Sequence, residues 1–122
     1  MRKKAGFFTS FNFALQGIKY CVLKERNIRI HLALAAAALL LSWILGISPI
    51  EWVLVVAVIT VVIALEMINT AIERTVDLFS PAYHPLAETA KNVAAGAVLI
   101  AALNAVVTGA VIFLPKLFAY FR

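Results

Sequence analysis

One stretch of this 122-residue chain sets acids and an amide at helical spacing: Glu66-Met67-Ile68-Asn69-Thr70-Ala71-Ile72-Glu73-Arg74-Thr75-Val76-Asp77. With Glu66 at zero on a helical wheel, Glu73 falls at about −20° and Asp77 at about +20°, and Asn69 and Thr70 flank them at about −60° and +40°. Three carboxyls and two further polar groups therefore share one side of one helix. No charged residue occurs from Trp52 to Leu65, so Glu66 comes at the end of a long apolar run. A carboxylate at membrane depth is costly unless paired or wet, and such residues mark functional sites by default. A protonated Glu66 in an interhelical hydrogen bond is the plain alternative. Three acids on one side beside Asn69 favour a site.

The chemistry that suits the stripe follows from its atoms. Hard carboxylate oxygens suit Mg²⁺, which is commonly held by one or two carboxylates together with a nucleotide's phosphates. Neither histidine belongs to a Cys/His cluster of the kind zinc takes; His31 and His84 are far apart in the chain, and a lone histidine is usually structural. Glu73 lies about 10 Å from Glu66 along a helix axis. It would sit near the headgroups, where a metal–phosphate complex arrives. Glu66 would sit deeper, where the hydroxyl of an amphiphile lies. Burial disfavours a charged carboxylate, which suits a group whose task is to take a proton. The layout fits phosphoryl transfer from a soluble nucleotide to a lipid alcohol. The five glycines are scattered and form no phosphate-binding loop, so phosphate contacts fall to the metal, Lys91 and nearby basic side chains.

The elements that position these residues are read from composition. The chain is 64% apolar and 14% charged, against roughly half and a quarter for soluble domains. A chain this short cannot bury that much apolar surface in its own core. This excludes a disordered chain, an ordinary soluble enzyme and, with Cys21 as its one cysteine, a disulfide scaffold. The expected class is an all-α integral membrane protein, one domain over residues 1–122, with spans near 30–48, 50–72 and 93–114. Ser48-Pro49 breaks the first span from the second. Residues 77–90, with Pro81 and Pro85, read as a compact loop.

Seven of the eleven basic residues lie in residues 1–29: Arg2, Lys3, Lys4, Lys19, Lys24, Arg26 and Arg29. In so apolar a chain this bias speaks for anionic headgroups rather than nucleic acid. By the positive-inside rule the N-terminus and the Arg74–Lys91 linker are cytoplasmic, and the turn at Gly46–Glu51 and the C-terminus lie outside, with Lys116 and Arg122 weighing against that last assignment. Within residues 7–25, Phe7, Phe11, Ala14, Leu15, Ile18, Cys21 and Val22 fall within an arc of about 120° at helical spacing. This reads as an amphipathic helix lying in the membrane interface, with Cys21 as apolar filler. Ala97, Ala101, Ala105 and Gly109 form a small-residue stripe for close helix packing, and Asn104 reads as an interhelical hydrogen bonder.

The chain resembles the prokaryotic diacylglycerol kinase and undecaprenol kinase family of small integral-membrane lipid kinases. The matching stretches are Phe13-Ala14-Leu15-Gln16-Gly17-Ile18, Lys24-Glu25-Arg26-Asn27, Glu66 through Glu73, Val76-Asp77-Leu78, Tyr83-His84, and Lys91-Asn92-Val93-Ala94-Ala95-Gly96-Ala97-Val98-Leu99. The resemblance implies a homotrimer in the bacterial cytoplasmic membrane, with ATP as phosphate donor. It implies Glu66 as catalytic base, Glu25 and Glu73 as the carboxylates for Mg²⁺ and ATP, and Lys91 for phosphate. It also implies Asn69 and Ala95 along the lipid side of the site and Tyr83, His84 and Asn92 beside the nucleotide. Asp77 matches a family position without a defined role. Where the family usually has Lys-Asp, this chain has Lys91-Asn92, which removes one negative charge.

The undecaprenol branch is the more similar, sharing His31, Glu51-Trp52, Ala94-Ala95-Gly96-Ala97 and Phe113-Leu114-Pro115-Lys116. The resemblance therefore implies undecaprenol as acceptor, giving undecaprenyl phosphate, with diacylglycerol, giving phosphatidic acid, as the alternative. The readings from another class are a small membrane pore, which needs no buried acids beside a lysine, and a proton-coupled transporter with Glu66 as the proton carrier.

Overall fold

A computed structural model describes residues 6–122. Arg2, Lys3 and Lys4, which contribute to the expected orientation, lie outside the described residues. The fold is four helices: α1 (Phe7–Lys24), α2 (Arg26–Leu45), α3 (Pro49–Phe79) and α4 (Pro85–Tyr120). The described residues contain no strand. The last three helices are long and apolar enough to cross a membrane, as the sequence implies, and α1 forms the N-terminal helix ahead of them.

Glu25 alone separates α1 from α2, in an extended conformation (φ −107°, ψ 114°) that turns the chain. Arg29 reaches back across this corner and donates to the carbonyl oxygens of Val22 and Leu23, at 3.1 and 3.0 Å. These belong to the last turn of α1, where carbonyls lack helical partners. Cys21 is buried there. Burial, with Glu25 nearby, pushes its thiol above the ordinary cysteine value, which keeps it protonated and fits its reading as filler.

The second corner is a helix stop joined to a helix start. Gly46 takes the left-handed conformation (φ 61°), which glycine adopts without strain. The amide of Ile47 donates to Ser42 O at 3.2 Å, closing α2 as a Schellman turn. Ser48 then caps α3: its hydroxyl accepts from the Glu51 amide at 3.3 Å, and the Glu51 carboxylate accepts from the Ser48 amide at 3.0 Å. Pro49 occupies the first turn, where its missing N–H costs nothing.

The third corner is shorter than expected. α3 continues to Phe79 and α4 begins at Pro85, so the helix that carries the second expected span runs beyond residue 72 and the loop is residues 80–84 rather than 77–90. Glu73, Arg74 and Asp77 lower the hydropathy without opposing a helix, so the apolar edge near residue 72 is not where α3 ends. Lys91 likewise lies inside α4, which also carries Pro115 within it.

α3 and α4 run antiparallel, since Lys91 meets Asp77 at one end and Lys116 meets Glu51 at the other. At the Glu51 end, Ile47, Val55 and Ile112 form a buried cluster backed by Leu45, Trp52, Ile59 and Phe113. On α3 the buried stripe runs Val55, Val62, Glu66, Asn69 and Thr70. The site acid and amide therefore continue the core face, and the packing that buries valines also fixes them. On α4 the buried seam is Ala94, Val98, Ala101 and Ile112. Ala97 is exposed, so the inward seam only partly follows the expected stripe. Asn104 is also exposed and has no hydrogen-bond partner among the described residues, because it points away from the α3 seam.

Candidate functional site at the α3 stripe

Helix lengths set the depth of the site. At 1.5 Å per residue, the 20 residues of α2 reach about 30 Å, while the 31 of α3 and 36 of α4 reach about 46 and 54 Å. Counting 20 residues up α3 from Pro49 gives Ile68, so by rise alone residues 69–79 stand up to about 16 Å beyond the start of α2. Glu66 and Asn69 straddle that level. Glu73 and Asp77 lie above it.

Glu66 is buried at 5% exposure. Its Oε1 stands 3.3 Å from Nε2 of His31 on α2. This corrects the reading of His31 as an isolated structural histidine: the antiparallel packing of α2 on α3 brings together two residues 35 positions apart. One turn further on, the Asn69 amide donates to Glu73 Oε1 at 3.1 Å. Asn69 Oδ1 is buried and has no hydrogen-bond partner among the described residues.

Glu25 reaches this region through Arg74. The Arg74 guanidinium pairs with the Glu25 carboxylate, and its Nε donates to the Tyr20 hydroxyl at 2.9 Å. Its charged carbon lies 5.9 Å from the Tyr20 ring centroid, a cation–π approach. Glu73 also acts electrostatically on this guanidinium. One arginine thus ties α1 and the Glu25 corner to the α3 turn that carries Glu73. On the opposite flank the Lys91 ammonium meets Asp77 Oδ1 at 2.5 Å. Asp77 accordingly bridges α3 to α4 and holds the lysine beside the stripe.

The remaining sequence candidates sit apart. Tyr83 is exposed in the loop; a hydrogen bond to Glu88 holds its phenol above the ordinary tyrosine value. His84 caps α4, its Nδ1 accepting from the Leu86 amide at 3.1 Å. Asn92 and Ala95 are exposed on α4. No described hydrogen bond or ion pair links these four to Glu66, Asn69 or Glu73. Sequence reasoning missed His31, Arg74 and Tyr20 as members of the cluster. The available signal was that His31 is the one titratable residue between Ile30 and Ile50, and that Arg74 directly follows Glu73.

The donors suit a hard cation. Among the described residues no three His, Cys, Asp or Glu side chains gather into a ready-made cage. An ion that arrives with a nucleotide needs only one or two carboxylates. Glu25, Glu73 and Asn69 Oδ1, which has no hydrogen-bond partner among the described residues, could supply oxygen to it.

A multi-pass helical membrane protein with carboxylates gathered at one end of its bundle is the class that this fold and site define. The family profile described as prokaryotic diacylglycerol kinase matches residues 12–113. An undecaprenol kinase of Bacillus subtilis is 45% identical over 111 residues, which is 91% of this chain and 90% of that protein. A diacylglycerol kinase of Synechocystis is 39% identical over 88% of this chain and 62% of its own length. A diacylglycerol kinase of Escherichia coli is 32% identical over 79% of each. The chain belongs to the prokaryotic diacylglycerol kinase family, and is therefore a lipid kinase.

Proposed function

We propose that this chain transfers the γ-phosphate of ATP to undecaprenol, giving undecaprenyl phosphate. The observation that carries the reading is the α3 stripe: buried Glu66, then Asn69 bonded to Glu73, with Glu25 tied in by Arg74 and Lys91 by Asp77. Glu25 and Glu73 would hold Mg²⁺, which when bound offsets charge on the phosphate oxygens. Lys91 exchanges its Asp77 partner for phosphate oxygen and fixes the donor. Glu66 takes the proton of the lipid hydroxyl as that oxygen attacks the γ-phosphorus; the bond from the γ-phosphorus to the β–γ bridging oxygen breaks, ADP leaves, and the tail stays in the bilayer. Little covalent work falls to the protein, so positioning and electrostatics dominate. The exposed Asn104 and the apolar α4 surface suit assembly with further copies, as a homotrimer. The N-terminus and the carboxylate end face the cytoplasm, where ATP is.

The acceptor rests on the 45% identical relative, named undecaprenol kinase. The Synechocystis and Escherichia coli relatives, named diacylglycerol kinases, support diacylglycerol as the second reading. Purified protein given labelled ATP with both alcohols in competition should place most label in undecaprenyl phosphate. Label chiefly in phosphatidic acid would reverse the choice. No labelled lipid at all, with ion conductance or substrate-coupled proton movement across vesicles, would move the chain to the pore or transporter class. Glu66→Gln should abolish transfer and leave ATP binding largely intact; near-normal turnover would remove Glu66 from the role of base.

A further inference from the structure

A cavity of about 270 Å³ lies among α2, α3 and α4, with His31 at one end and Phe113 at the other. Ala38, Val62 and Ala105 are typical of its walls, and His31 and Thr108 are its polar side chains. Glu66 does not line it. His31 therefore has two neighbours: the apolar space on one side and the Glu66 carboxylate, at 3.3 Å, on the other. Asn69, the amide one turn along, is committed to Glu73 and leaves Glu66 to the imidazole. A buried carboxyl at membrane depth needs such a partner, and a flexible glutamate held at one oxygen presents the other in a fixed direction.

We propose that His31 is the positioning residue for Glu66: the imidazole holds Oε1 and so leaves Oε2 to receive the proton of an alcohol. This rests on the reading of Glu66 as the base and goes beyond it by giving that base a fixed orientation. Among the described residues His31 has no hydrogen bond or ion pair with Glu25, Glu73 or Lys91, so its removal should act on the transfer step and not on nucleotide affinity. The distinction from a merely structural contact lies in side-chain reach. Glutamine places an N–H close to the position of Nε2. Asparagine is equally polar but too short, and leucine fills the space without a donor.

The test uses the full chain reconstituted in lipid, with kcat and the KM for ATP measured on His31→Leu, His31→Asn and His31→Gln. Leucine and asparagine should lower kcat about 10- to 100-fold, the scale of a misplaced reacting group. The KM for ATP should stay within about twofold, as expected when only a transition-state interaction is lost. Glutamine should recover part of the rate. Equal rates for asparagine and glutamine, an unchanged kcat in the leucine variant, or a KM for ATP that rises in step with the lost kcat would each overturn the proposal. Glu66→Gln is run alongside. If it stays active, the role of Glu66 fails first; if it is dead while His31→Leu turns over normally, only the positioning role fails.

Discussion

The four acids at the site each face a different kind of neighbour. Glu66 faces an imidazole, Glu73 an amide, Glu25 a guanidinium and Asp77 an ammonium. The last pair bears on the departure at Asn92. With asparagine there, the one described carboxylate paired with Lys91 is Asp77. Asn92→Asp would add a second acid beside the lysine and should raise the ATP-dependent rate. An unchanged rate would show the asparagine to be harmless. Cys21 gives an independent check on the α1 corner. Its burial and raised pKa predict slow labelling by a maleimide at neutral pH, and Arg74→Ala, which releases α1 from α3, should speed it. Fast labelling of the unaltered protein would contradict the packing of that corner.

At the scale of elements, the corners are built from recognisable local chemistry. Ser48→Ala removes the hydroxyl half of a capping box and should cost about 1 kcal/mol. Gly46→Ala places a Cβ at φ 61° and should cost roughly 1–2 kcal/mol. Denaturant unfolding in detergent measures both, and a neutral Ser48→Ala would mean that water replaces the cap. The corner between α2 and α3 was legible in sequence as Gly46 followed by Ser48-Pro49. The C-terminal boundary of α3 was not, because hydropathy reports the solvent around a helix and charged residues propagate a helix well. The site was legible where it lies along one helix, as with Glu66, Asn69 and Glu73 at helical spacing. His31 and Arg74 were missed because their partners come from other helices, and a single sequence carries no register between helices. For the same reason the sequence could not show that Asn104 lies exposed, with no partner among the described residues: periodicity shows that a face exists, not what it meets.

For the whole molecule, Lys116 pairs with Glu51 at the end of the bundle remote from Glu25 and Glu73. Cysteines introduced singly in a Cys21→Ser background at Ser48 and Ser80 should therefore label from opposite sides of the membrane. Ser48→Cys should react on intact cells and Ser80→Cys only after the membrane is opened; the reverse pattern would invert the proposed orientation.

The unequal lengths of the helices carry one more consequence. α2 is about as long as a typical hydrocarbon core is thick, with almost nothing to spare, while α3 and α4 outrun it by about 16 and 24 Å. Glu25 alone joins α2 to α1, so the start of α2 should act as a gauge for where oil ends and water begins. In a thicker bilayer Glu66 and His31 sink away from that boundary, and in a thinner one they rise into it. Turnover in vesicles of graded acyl-chain length should pass through a maximum, making membrane thickness a setting that the protein reads through its shortest span.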